Sequence, residues 1–182
     1  MHLSRSAYYA DFFVLPIVGL ALAGGSLFRA NLVQSLIWGM ICLSGVVTWT
    51  LLEYVLHRYV LHHVPGFEQM HDAHHADPLA SVGAPIWVTL PMLCLCGLLP
   101  LWWPVGFLQA SGLTTGLVLG YLWYITVHHA SHRWHPDHRS YFYRRKRCHA
   151  QHHAFRDGWN FGVTTSLWDH IFGTSKAGGG AR

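Results

Sequence analysis

Ten of the 16 histidines in this chain fall into four clusters of regular spacing. His57 and His62 form H-x4-H, and His71, His74 and His75 form H-x2-HH. His128 and His132 form H-x3-H, and His149, His152 and His153 repeat H-x2-HH, so the second half echoes the first in spacing. Residues three or four apart on a helix share a face, with Cβ atoms about 5–6 Å apart, so three of the clusters aim imidazoles at a common point. H-x4-H suits a helix end that unwinds. Neutral imidazole is a ligand for iron, zinc, copper or nickel. A structural zinc is satisfied by four ligands, whereas ten histidines divide into about five for each of two ions. Five nitrogens with one position open describe a six-coordinate metal that can bind oxygen. The clusters are interleaved with Tyr, Trp, Asp and Gln, unlike a low-complexity histidine tract. His2, His63, His129, His135, His138 and His170 lie outside the pattern and read as ordinary polar residues.

The elements that position these side chains are apolar. Hydrophobic residues make up 52% of the 182 and charged residues 11%, against a usual charged share of about 25%, too few to clothe a water-soluble globule. Stretches 12–28, 32–56, 84–103 and 109–127 are each about long enough to cross a bilayer as a helix. The expected fold is all-α: four transmembrane helices in two hairpins, with a cap of 57–83 and 128–175 holding a dimetal site and a flexible tail at 176–182. The third stretch carries Pro85, Pro91 and Pro100 and is expected to kink. Gly112, Gly116 and Gly120 give the fourth a small face suited to close helix contact. Apart from Glu53 near one boundary, the stretches hold no ionisable residue.

Of the 12 Lys and Arg residues, only Arg29 falls between spans one and two or three and four. By the positive-inside rule both termini and the histidine cap are then cytoplasmic. The run Arg144-Arg145-Lys146-Arg147 sits beside a histidine cluster and is read as contacting anionic headgroups, not nucleic acid. Cys42, Cys94, Cys96 and Cys148 form no C-x2-C pair and read as reduced packing residues. Ligating histidines usually donate their second ring N–H to a carboxylate or carbonyl. Glu53, Asp72, Asp77, Asn160 and Asp169 are the candidates for that supporting role. Glu53, one turn before His57, is expected to orient a ligand or pair with Arg58.

The run Glu53-Tyr54-Val55-Leu56-His57-Arg58 with His62, followed by the other three histidine clusters, resembles the fatty acid hydroxylase superfamily of membrane di-iron oxygenases, which includes sterol desaturases and fatty acid 2-hydroxylases. The stretch Asn160-Phe161-Gly162-Val163-Thr164-Thr165, through Trp168-Asp169 to Phe172-Gly173-Thr174, is similar to that family's C-terminal signature. The order H-x4-H first and H-x3-H third looks most like the 2-hydroxylases acting on sphingolipid acyl chains. The resemblance implies two iron ions on the ten clustered histidines, O2 as co-substrate, a membrane lipid substrate and no catalytic residue beyond the metal centre. Zinc can replace iron on purification, because nitrogen ligands hold it more tightly than Fe²⁺. Only eleven residues precede the first span, so electrons are expected from a separate donor, cytochrome b5-like or ferredoxin-like. Two other readings compete. Desaturation uses the same oxidant, and a metal transporter or sensor predicts ionisable residues lining a path through the spans.

Overall fold

The computed structural model describes residues 3–155 and 158–176. Its contacts divide the chain into two compact units, Met1–Trp49 with Ser81–Leu122, and Thr50–Ala80 with Trp123–Arg182. No strand occurs among the described residues. Four helices are long and apolar enough to cross a membrane: α1 (Arg5–Leu27), α2 (Leu32–Leu61), α4 (Ile86–Val105) and α5 (Phe107–Arg133). Three shorter ones, α3 (Phe67–Ala76), α6 (Tyr141–Ala154) and α7 (Leu167–Ile171), carry polar sequence between and after them. The chain is an integral membrane protein.

Local chemistry sets these boundaries. Ser4 caps α1, its hydroxyl accepting from the Ala7 N–H at 3.2 Å. Ahead of α2, Asn31 and Gln34 exchange side chain-to-backbone bonds of 2.9 Å in both directions, the reciprocal arrangement of a capping box. Gly106 ends α4 at φ +87°, a conformation glycine adopts without strain. The third apolar stretch does not break at its prolines. Between Pro91 and Pro100 the helix widens at Cys94–Leu98, and the Leu99 N–H bonds the Cys94 carbonyl five residues back. Widened turns of this kind absorb the mismatch that a missing proline N–H introduces.

In the first unit the outward faces are apolar, as Phe13, Leu20, Met40 and Leu43 are all exposed. Lipid, not water, is the natural solvent for such a surface. The inward faces are small or polar. A Cβ on Gly45 would stand 2.5 Å from the Leu113 carbonyl oxygen, and one on Gly116 would strike the Cys42 carbonyl, so α2 and α5 touch backbone to backbone. The expected glycine face is therefore the helix contact.

One expectation fails here. Because α1 starts at Arg5, it takes Asp11 into a candidate span, and Asp11 is buried. The Tyr121 hydroxyl donates to it at 2.6 Å and the Thr89 hydroxyl at 3.2 Å, so the carboxylate ties α1 to α4 and α5. Hydrogen bonds to a buried polar group offset the cost of burying it. The spans thus hold an ionisable side chain besides Glu53, engaged by two hydroxyls.

Lys176, the first residue of the expected flexible tail, is bonded to the rest of the protein. The Lys176 N–H donates to Asn160 Oδ1 at 3.1 Å, and its ammonium lies over the Phe155 ring; residues 177–182 lie outside the described residues.

Candidate metal centre

The second unit gathers all ten clustered histidines, nine on four helices and His62 at the C-cap of α2. α2 does not unwind at His57, as the spacing suggested. Its last turn, Leu56–Leu61, widens so that backbone bonds run from i to i+5. Residues five apart then share a face, and the His57 and His62 rings stack with centroids 5.3 Å apart. Gly66, at φ +89°, turns the chain into α3, which carries His71, His74 and His75. The last turns of α5 carry His128 and His132. Ser140 caps α6 through the Tyr143 N–H, and α6 carries His149, His152 and His153.

These side chains gather into two groups. The ring nitrogens of His57, His62, His71, His75 and His152 all lie within 4.8 Å of one another, and so do those of His74, His132, His149 and His153. His128 stands beside the second group, its Nε2 3.0 Å from that of His74. Nε2 atoms approach each other closely throughout. His57 and His71 are 3.0 Å apart, His71 and His75 3.0 Å, His75 and His152 3.1 Å, and His62 and His152 3.2 Å. In the second group His132 and His149 stand 2.8 Å apart, and His149 and His153 3.1 Å.

Two tautomers are fixed by their partners. His57 Nδ1–H donates to the Phe161 carbonyl at 2.6 Å, and His152 Nδ1–H to the Trp159 carbonyl at 3.0 Å. A neutral ring protonated at Nδ1 presents a bare lone pair at Nε2. Lone pairs converging at these distances repel unless a cation lies among them, so the donor set fits a metal. Nitrogens about 2.1 Å from one ion are about 3.0 Å apart at right angles and about 3.4 Å apart at tetrahedral angles. The observed edges of 2.8–3.2 Å lie nearer the first value.

Electrostatics agrees. Burial, with further repulsion from neighbouring imidazoles, holds His74 and His75 down to about 3 and about 2 against the usual histidine range near 6.5. His152 is lowered to about 3 by burial, against the raising effect of the Trp159 carbonyl, and burial lowers His153 to about 4. His71 and His149 are also lowered well below that range, again chiefly by burial. At neutral pH these rings are uncharged and ready to ligate.

The acidic residues act differently from expectation. Glu53 neither touches a histidine nor pairs with Arg58. Its Oε1 accepts from the Val163 and Thr164 N–H groups at 2.9 and 2.7 Å, and its Oε2 from the Thr164 hydroxyl at 2.8 Å. Asp169 Oδ1 accepts from the Phe161 N–H and the Thr174 hydroxyl, and its Oδ2 from the Gly162 N–H, all at 2.8–2.9 Å. Asn160 bonds Gln151 and the Lys176 N–H, while Asp77 is exposed and caps the Leu79 N–H. Asp72 is exposed. The acceptors on His57 and His152 are backbone carbonyls, and a carbonyl leaves no mark in a sequence.

Arg145 is a second correction. It is buried, and its guanidinium donates to the Val163 and Gly162 carbonyls and the Ser166 hydroxyl at 2.7–2.9 Å. It braces the 160–166 loop and is not placed to meet headgroups, whereas Arg144 and Arg147 are exposed. Sequence reasoning also passed over Thr164, Thr174 and Tyr54, whose hydroxyl accepts from Arg58 at 2.7 Å and pairs with Thr174 at 3.0 Å. The signal available was the 160–174 signature itself, noticed as a resemblance without a physical role.

A model of the fatty acid hydroxylase family matches residues 42–174. The chain belongs to that family. It is 33% identical over 147 residues to the dihydroceramide fatty acyl 2-hydroxylase FAH2 of Arabidopsis thaliana, covering 75% of this chain and 60% of that one. To the fatty acid 2-hydroxylase of Macaca fascicularis it is 32% identical, covering 71% of this chain and 38% of the relative. This family member therefore spans less than two thirds of either relative. Among solved structures, full-length scs7p, with only its hydroxylase domain visible, superposes with a TM-score of 0.81 at 24% identity, covering 94% of this chain and 67% of that one. That likeness shows the fold to be shared.

Proposed function

We propose that this protein is a membrane-bound di-iron oxygenase hydroxylating an unactivated C–H bond in the acyl part of a long-chain, sphingolipid-like lipid. The observation that carries the reading is the pair of histidine groups with Nε2 edges of 2.8–3.2 Å. His57, His62, His71, His75 and His152 would hold one iron, and His74, His132, His149 and His153, with His128 beside them, the other. Iron held there would supply the oxygen activation that breaking such a bond requires and that redox-inert zinc lacks. The overall change converts R–H, O2, two electrons and two protons into R–OH and water, with a cytochrome b5-like or ferredoxin-like donor as the proposed source of the electrons.

The chain's own residues set up that chemistry. His57 and His152 spend their Nδ1 protons on carbonyls, which points their Nε2 lone pairs into the first group. Phe161 packs on the rings of His57, His62 and His152 at 5.5–5.8 Å between centroids and keeps water off that side. The relatives' names, a dihydroceramide fatty acyl 2-hydroxylase and a fatty acid 2-hydroxylase, support the choice of substrate. Against a transporter, the buried Asp11 is fully engaged by Tyr121 and Thr89 and forms no ionisable path.

The test is anaerobic loading of detergent-purified protein with Fe²⁺, then addition of O2, a reductant and a lipid extract, with mass detection. Two irons per chain and products heavier by one oxygen are expected, whereas products lighter by two hydrogens would identify a desaturase. His152→Ala should lose iron and activity together while His138→Ala keeps both. A fully loaded, active His152→Ala protein would overturn the ligand assignment.

A further inference from the structure

The two histidine groups are not supported alike. In the first, the Nδ1 protons of His57 and His152 rest on the Phe161 and Trp159 carbonyls. In the second, the buried Nδ1 atoms of His149 and His153 have no hydrogen-bond partner among the described residues, a state that His75 alone shares in the first group. The loop supplying the two carbonyls is held with unusual completeness. Four consecutive N–H groups, from Phe161 to Thr164, end on two buried carboxylates, Asp169 taking the first two and Glu53 the last two. Arg145 takes the Gly162 and Val163 carbonyls that point the other way. Gly162 has no room for a side chain, since a Cβ there would meet the Thr165 carbonyl and stand 2.8 Å from Asp169 Oδ2. Asn160, at φ +56°, is anchored by its N–H on the Thr174 carbonyl at 2.8 Å, and Thr174 is itself held by Asp169.

We propose that Glu53 and Asp169 are positioning residues for one metal only: by clamping 161–164 they preset the five-histidine group, and the four-histidine group takes its shape without them. The inference rests on the reading of both groups as metal sites. Hydrogen-bond chemistry gives it a discriminating signature. Glu53→Gln can keep the clamp, because one amide oxygen accepts from the Val163 and Thr164 N–H groups while the NH2 donates to the Thr164 hydroxyl. Asp169→Asn cannot, because either amide orientation turns an NH2 toward the N–H of Phe161 or Gly162.

The experiment titrates metal-free, detergent-purified full chain with Co²⁺, following visible absorbance and counting bound metal. Wild type should take two ions. Glu53→Ala and Asp169→Asn should weaken one binding step about 10–100-fold, the usual effect of losing support behind a ligand, and leave the other step unchanged. Glu53→Gln should titrate as wild type, and His153→Ala should weaken the step that Glu53→Ala spares. Equal weakening of both steps, no weakening, or a Glu53→Gln protein as impaired as Glu53→Ala would overturn the clamp while leaving the ligand assignment standing. A wild type that binds no Co²⁺ would overturn both. If either weakening variant is not monodisperse, Thr164→Val, which removes a single bond to Glu53, decides by the same readout.

Discussion

A histidine gathered with nine others must stay neutral, and burial enforces what metal binding needs. With His74, His75, His152 and His153 lowered to about 3, 2, 3 and 4, the folded chain stays unprotonated where an unfolded histidine, near 6.5, takes up a proton. The unfolded state then binds more protons as pH falls below about 6.5, so native stability is fully present above that value and is lost progressively as pH falls from there towards about 2. The melting temperature of the metal-free protein, at constant ionic strength, should therefore fall steadily from pH 7.5 to pH 4.5. A flat or rising profile would mean that the rings are solvated and not gathered. At this scale the histidines were legible because side-chain spacing on a helix is a sequence property. Their supports were not. Glu53 and Asp169 were singled out, but their oxygens meet backbone N–H groups of a loop 110 and 8 residues away in sequence, and pairings of that kind have no code in residue type.

The helices show the same division between what spacing reveals and what packing decides. Apolar length located four spans, yet α1 begins seven residues before the expected start and α2 runs five beyond its expected end. Both extensions matter, since one brings in Asp11 and the other carries His57 on a widened turn capped by His62, which no hydropathy pattern encodes. The glycine face of α5 was legible because small residues at four-residue spacing have one main use in a membrane helix. Its energetics are testable by contrast. A Cβ on Gly116 meets the Cys42 carbonyl and the Gly45 Cα, both backbone, so nothing nearby can swing aside. Gly116→Ala should force α2 and α5 apart at a cost of about 1–3 kcal/mol or more. Gly24, where an added Cβ would meet nothing within 4 Å, provides the control. Thermal unfolding in detergent should show a clear loss for Gly116→Ala and none for Gly24→Ala. Equal melting temperatures would mean that the helices do not meet at Gly116.

For the whole molecule, the proposed activity makes the supply of electrons the strongest constraint. The proposed oxygenase, drawing two electrons per turnover from a donor, would need its metals on the side of the membrane where reduced carriers are made. The charge distribution agrees, with Arg29 alone among the 12 Lys and Arg residues falling between α1 and α2 or between α4 and α5. Four crossings return the chain to the side on which it started, so the α2–α4 connection and everything after α5 should share the cytoplasmic side. Single cysteines in a background lacking Cys42, Cys94, Cys96 and Cys148 can test this with a membrane-impermeant maleimide on intact cells. Ala30→Cys and Val105→Cys should label from outside, whereas Glu68→Cys and His138→Cys, both at exposed positions, should label only after permeabilisation. The reverse pattern would put the histidine groups outside the cell, away from cytosolic reductants, and would make a hydroxylase fed by a cytosolic donor untenable. Labelling of Ala30→Cys and Glu68→Cys alike from outside would show that α2 does not cross.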